Sequence, residues 1–181
     1  MSWFLLVIIA LLALVALRPG FSFRSQTPGD YQAKEPAFDI REHLSGTLVC
    51  EGMIYGPRGR VTSRFIARFE GEWDGRTGTL AESFQYDTGN TQERKWHLTM
   101  GEDGHFTATA DDIIGTATGR QLGAAVSMRY RIRLPEEAGG HVLTVTDWLY
   151  LMENGTIFNR SEMRKFGIKV AELIATIRPV E

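Results

Sequence analysis

Two acids and an arginine, set among large apolar residues, are the side chains of this sequence best placed to do chemistry. Glu82 lies in Leu80-x-Glu82-x-Phe84-x-Tyr86, and Arg94 lies in Arg94-x-Trp96-x-Leu98. At the two-residue period of a strand, each charge shares a face with its apolar neighbours. The third charge, Asp147, alternates with Val145, Leu149 and Leu151, and the following arm sets Asn159 and Ser161 beside Ile157 and Met163. Tyr130 falls in a similar alternation with Val126, Met128 and Ile132. A carboxyl group carried into such surroundings has its pKa raised by desolvation, unless an arginine lowers it again, and could then act as a general acid or base.

Two other roles fit the same residues. Glu82, Tyr86, Arg94, Trp96, Tyr130, Asp147, Asn159 and Ser161 could orient a small ligand in an otherwise apolar cavity. They could equally close into a buried ion-pair network that sets register and binds nothing. The remaining chemistry is thin. Asp111-Asp112 lacks further ligands at useful spacing and reads as a turn with solvated acids. His43, His97, His105 and His141 are scattered, so no metal site is expected. Cys50 has no base nearby and reads as a small structural side chain. Gly115-Thr116-Ala117-Thr118-Gly119 lacks the lysine of a phosphate loop, there is no nucleophile elbow, and no cofactor is implied.

The elements that would position these groups are strands. Thr144 to Gly167 reads as a hairpin turned by Asn154-Gly155, both residues expected at positive φ. Val61, Ser63, Phe65, Ala67 and Phe69 alternate with Thr62, Arg64, Ile66, Arg68 and Glu70, the pattern of an antiparallel sheet with one wet face. Further strands are expected at 47–55, 77–87, 92–100, 105–110, 114–119 and 124–134, with turns at Asp74-Gly75, Gly89-Asn90 and Asp103-Gly104. In 168–180 helical and strand periods compete, and only the second half is expected to be a strand. Asp39 to Leu44 reads as a helical turn capped by Asp39 and stopped by Gly46. About ten short strands in meander order favour an all-β, antiparallel, up-and-down barrel over a Greek-key sandwich.

Ahead of the barrel, Trp3 to Leu17 is an unbroken apolar run without a clean cleavage site after it. Residues 1–17 are therefore expected to be an uncleaved membrane anchor, 18–37 a linker lifting the domain off the membrane, and 38–181 the barrel. Arg18 and Arg24 follow the run and place the domain in the cytoplasm by the positive-inside rule. The whole chain carries −2, and residues 1–29 hold those two arginines and no acids, so the rest carries −2 − 2 = −4. Such a domain has no footprint for nucleic acid. Arg129, Arg131 and Arg133 form one exposed basic row that could meet a partner or anionic headgroups.

Several of these segments together resemble a known family. They are Glu72-Trp73-Asp74-Gly75, Leu80-x-Glu82-x-Phe84-x-Tyr86, Arg94-x-Trp96, Ala110-Asp111-Asp112 with Gly115-x-Ala117-x-Gly119, Asp147-Trp148-x-Tyr150-Leu151, and Asn159-Arg160-x-x-Met163-x-Lys165-Phe166-Gly167. From Phe38 to Ile177 the chain resembles a bacterial lipoprotein-like family of unknown function numbered 3833. The resemblance implies a lipocalin-type barrel and an exported, lipid-anchored protein. The domain would then be periplasmic on a bacterial inner membrane, against the direction of the arginines. No lipobox cysteine follows the apolar run, and the resemblance carries no catalytic residue or ligand. The leading expectation is a membrane-tethered lipocalin-like module for a small apolar molecule such as a lipid or acyl chain. An enzyme using Glu82 or Asp147 beside Arg94 and Tyr130, and a scaffolding envelope protein, are the alternatives.

Overall fold

Alternation of buried and exposed residues runs through ten strands, and a chain with that pattern and short turns buries one sheet face by curling it on itself. In a computed structural model, which describes residues 3–17 and 22–180, the strands are β1 (Gly46–Tyr55), β2 (Val61–Asp74), β3 (Thr77–Tyr86), β4 (Thr91–Met100), β5 (His105–Thr109), β6 (Ala117–Leu122), β7 (Ala125–Arg133), β8 (Val142–Leu151), β9 (Ile157–Lys165) and β10 (Ile168–Pro179). Each pairs antiparallel with its sequence neighbour, and β1 pairs with β10, from Leu48↔Pro179 to Tyr55↔Glu172. The result is a closed, lipocalin-like up-and-down barrel without a free edge.

Meander order sends the β1–β2, β3–β4, β5–β6, β7–β8 and β9–β10 connections to one end. The other end holds the remaining turns and the point where the chain enters β1. A short helix, α2 (Ile40–His43), crosses that second end, its Asp39 cap accepting from the Arg41 amide at 2.9 Å. Phe38 N donates to Gly123 O at 2.8 Å on the β6–β7 side. On the opposite side Trp73 Nε1 donates to Leu44 O at 3.0 Å. Ile40 and Leu44 are buried, 1% and 6% exposed, and they close this end as a lid. The approach is tight enough to require glycine twice. A Cβ on Gly71 would stand 1.9 Å from Leu44 O, and one on Gly123 1.8 Å from Tyr31 O.

The segment expected to lift the domain away does something else from Ser22 onward. Phe23 is buried against Ala125 and Trp148 on the barrel's outer wall, and the Arg160 guanidinium lies 4.6 Å from its ring centroid. Tyr31 packs on Trp148 and Tyr150, both at 5.4 Å between centroids. The physical reason is that β8 carries apolar side chains on both faces, and its outer aromatic pair needs cover.

Three local expectations differ in detail. Among the hairpin residues Asn154 and Gly155, only Gly155 has positive φ (79°). The turn instead runs from Met152 to Gly155, with Gly155 N donating to Met152 O, and Asn154 Oδ1 accepts from Thr156 N at 3.0 Å. The weakly patterned sixth strand lies at Ala117–Leu122, leaving a loop at 110–116. All of 168–179 is strand, and a register shift between Lys169 and Ala171 breaks its alternation. That bulge produces the mixed period that let a helix compete.

Trp3–Leu17 forms a helix, α1, of fifteen residues. At 1.5 Å per residue it is about 22 Å long. Among the described residues, no helix is long and apolar enough to cross a membrane. Arg18, half of the sidedness argument, lies outside the described residues.

Candidate functional site

The inward side chains of the barrel do not fill it. A cavity of about 220 Å³ runs along the interior, walled mainly by aliphatic and aromatic side chains. Leu44, Ile40 and Leu98 lie toward the lidded end; Ile54, Leu134 and Pro135 lie toward the other. All eight residues singled out for the interior line this cavity: Glu82, Tyr86, Arg94, Trp96, Tyr130, Asp147, Asn159 and Ser161. Their convergence follows from register. Glu82 is the cross-strand partner of Arg94, Asp147 that of Ser161, and Leu149 that of Asn159.

Arg94 is the hub of one cluster. Its Nη1 donates to Glu82 Oε2 at 3.4 Å, a long contact, while Nε and Nη2 donate to Asp112 Oδ2 at 2.9 and 2.7 Å. The guanidinium also lies 5.7 Å from the Trp96 ring centroid. Burial alone would lower the Arg94 pKa, but Glu82 and Asp112 outweigh it and hold the charge firmly. Asp112 is the residue that sequence reasoning misplaced. Instead of a solvated turn it forms the stronger, forked partner of the buried arginine. The 110–116 loop delivers it, pinned to β7 by Ile114 N to Arg131 O at 2.8 Å and Arg133 N to Asp112 O at 2.8 Å. Glu82 already offered Arg94 a partner in the sequence, so the one signal for Asp112 was an acid just past a strand end.

Asp147 is the hub of the other cluster. Ser161 Oγ donates to its Oδ1 at 2.6 Å, and Asn159 Nδ2 donates to the same oxygen. Tyr86 Oη donates to Gln92 Oε1 at 3.0 Å toward the end opposite the lid. Trp96 packs edge-on to Tyr130, with centroids 5.3 Å apart. Tyr130 Oη has no protein hydrogen bond among the described residues, although no fully buried side-chain nitrogen or oxygen there lacks a partner. Network and cavity are thus not alternatives: the two clusters, on β3–β4 and on β8–β9, are parts of the wall of the void.

Electrostatics mark Glu82. Only 8% exposed, its carboxyl is pushed up to about 7 by desolvation, against the pull of Arg94. Asp147 is raised as well, again by desolvation, with Ser161 and Asn159 opposing. The Tyr130 hydroxyl is raised well above its ordinary value by burial and by Asp147. Burial likewise pushes up the Cys50 thiol, which is inert packing in β1. A carboxyl that titrates near neutrality in an apolar cavity can hold or release a proton at little cost. Among the described residues no three His, Cys, Asp or Glu side chains are grouped to hold a metal ion. Arg129, Arg131 and Arg133 stand exposed on the outside of β7.

The same architecture occurs in proteins of unrelated sequence. The S-type phycobiliprotein lyase CPES from Guillardia theta is similar, with a TM-score of 0.57 at 6% identity, covering 78% of this chain and 92% of the lyase. Rv2717c from M. tuberculosis has a TM-score of 0.56 at 12% identity, over 82% of this chain and 99% of its own. At such identities the likeness is one of fold. None of the curated proteins matches the sequence. Over residues 19–179, nearly all of the barrel and the segment packed on its wall, the chain matches and belongs to the family described as "Protein of unknown function (DUF3833)".

Proposed function

We propose that the barrel is a ligand-binding module that holds a small apolar molecule, such as a lipid or acyl chain, and that α1 tethers it to a bacterial inner membrane with the barrel on the periplasmic side. The observation that carries this reading is the apolar cavity of about 220 Å³, furnished with a few fixed polar groups. Ligand clefts commonly measure roughly 300–1,000 Å³. This one is smaller, which favours a slender or short molecule over a bulky cofactor. Fifteen apolar residues in α1, exposed along the part described, support the tether. Snorkelling flanks or local thinning of the bilayer accommodate its short length. Native mass spectrometry of the full chain after gentle extraction tests the cavity. A mass corresponding to a bound amphiphile is expected, and it is lost in a cavity-filling Leu173→Trp variant. A protein that emerges empty and takes up no fatty acid, alcohol, amine or phospholipid refutes the reading. A phosphatase active only outside the cytoplasm, fused after Glu181, reports the sidedness.

One observation favours a second reading, an enzyme acting on such a molecule. Glu82 faces the cavity with its pKa near 7, beside Arg94 and Tyr130. In that case Glu82→Gln abolishes turnover of a bound substrate while leaving it bound.

A further inference from the structure

Among the residues lining the cavity, Arg94 is the one cation, and its charge is already committed. Nε and Nη2 are engaged by Asp112, and Nη1 points to Glu82. Against it stand three carboxylates, two of which, Glu82 and Asp147, face the void. Most of the neutral donors are committed too. Ser161 donates to Asp147 Oδ1, Asn159 Nδ2 donates both to that oxygen and to Trp148 O, and Tyr86 donates to Gln92. Asp147 Oδ2 receives none of those bonds. Glu82, more than nine-tenths buried, accepts only the long contact from Arg94 and a weak approach of the Trp96 indole. What remains open to a ligand is therefore mainly acceptor capacity on two acidic groups, with the Tyr130 hydroxyl and the Gln92 side-chain nitrogen as the neutral nitrogen or oxygen donors of the lining that make no hydrogen bond among the described residues.

We infer that the polar group of the ligand is a hydrogen-bond donor carrying positive charge, a protonated amine, and that carboxylate- or phosphate-headed molecules are disfavoured. This rests on the cavity being a site for a small apolar molecule. A buried anion beside Glu82 and Asp147 would have no cation left to pair with, and unpaired buried charge is strongly unfavourable. Glu82 feels the charge of Asp147 across the cavity, so an ammonium group entering that space is attracted by both acids and favours their ionisation. Glu82 and Asp147 sit near mid-height on β3 and β8, so the amine reaches the middle of the barrel and not its rim. Both acids have raised pKa values because burial strips solvent from them by more than the Arg94 charge offsets. Amine binding then releases a proton, and affinity rises with pH through neutrality.

Octylamine, octanol and octanoate share a tail and differ in the head, so they separate the head-group inference from the cavity reading. Binding is measured by isothermal titration with the full chain in nanodiscs between pH 5.5 and 8. Octylamine is expected to bind at least tenfold more tightly than octanoate at pH 7. Its affinity should increase several-fold from pH 5.5 to pH 8, with proton release scaling with buffer ionisation heat. The double variant Glu82→Gln, Asp147→Asn is expected to lose the preference, its fold checked by near-ultraviolet circular dichroism. Octanoate binding as tightly as octylamine, or an amine affinity that falls as pH rises, overturns the inference and leaves the cavity reading standing. If none of the three binds, the cavity reading falls and the inference falls with it. The wild-type series decides the matter even if the double variant does not fold.

Discussion

Replacing Glu82 by glutamine removes one titrating proton from the centre of the barrel, and the consequence for stability has a definite sign and size. Below pH 4.5, the ordinary value, the carboxyl is protonated in folded and unfolded chains alike, so its ionisation contributes nothing. Between 4.5 and about 7 the unfolded chain gives up the proton while the folded one keeps it. The unfolded state then binds fewer protons, and wild-type stability falls as pH rises. The interval spans roughly 2.5 pH units at about 1.36 kcal/mol each, so the loss totals roughly 3 kcal/mol by pH 8. Glutamine has nothing to ionise and escapes this loss. Asp147, also raised, contributes in the same direction to both proteins, and only the part of it that is independent of the Glu82 charge drops out of their difference. Urea denaturation of wild type and Glu82→Gln at half-unit steps from pH 4 to 8 reads that difference directly. The variant should gain about 3 kcal/mol on the wild type across the series. Stability curves that run parallel would refute the claim that Glu82 stays protonated in the folded barrel near neutrality.

Asp112→Asn removes the forked partner of Arg94 and should destabilise the fold by about 1–3 kcal/mol, discounted from the usual figure for a broken buried pair because Asp112 is partly exposed. The same variant should lower the Glu82 pKa, since a neighbouring negative charge is gone and Arg94 is freed; carbon-detected titration of the Glu82 carboxyl checks it. Gly71→Ala drives a methyl into Leu44 O and should unseat the lid, seen as faster amide exchange across residues 38–44. Trp73→Phe removes the hydrogen bond to Leu44 O together with part of the indole's packing over Gly78, and should cost at least about 1 kcal/mol with the lid still in place.

Much of the barrel was legible because strand periodicity is a local signal. Alternation in β2, β3, β4 and β7 told which residues face inward, and hairpin connectivity told which strands are neighbours. Together these sent Glu82, Arg94, Asp147 and Ser161 into one interior; the register that sets Glu82 opposite Arg94 and Asp147 opposite Ser161 is seen in the structure. The parts that were not legible depend on contacts distant in sequence or on breaks in the period. Asp112 reaches Arg94 from a loop whose path depends on β5 and β6 being short. The bulge at Lys169–Ala171 scrambles the alternation of β10. Residues 22–44 have no period of their own, because prolines and short turns let them follow a surface already built. Their destination was nevertheless written in β8, where Trp148 and Tyr150 point away from a core face that also carries Val145, Leu149 and Leu151. A strand apolar on both faces calls for a cover on each.

The lid of residues 38–44 makes this barrel a cup and not a tube. Gly123 holds it on one side, Gly71 and Trp73 hold it on the other, and Ile40 and Leu44 form the floor. With a sealed floor, whatever enters must pass the water it displaces at the same mouth. An incoming competitor cannot push an occupant out from behind. If the cavity holds a ligand as proposed, exchange between occupants is sequential, its rate set by departure of the first and independent of how much of the second is present.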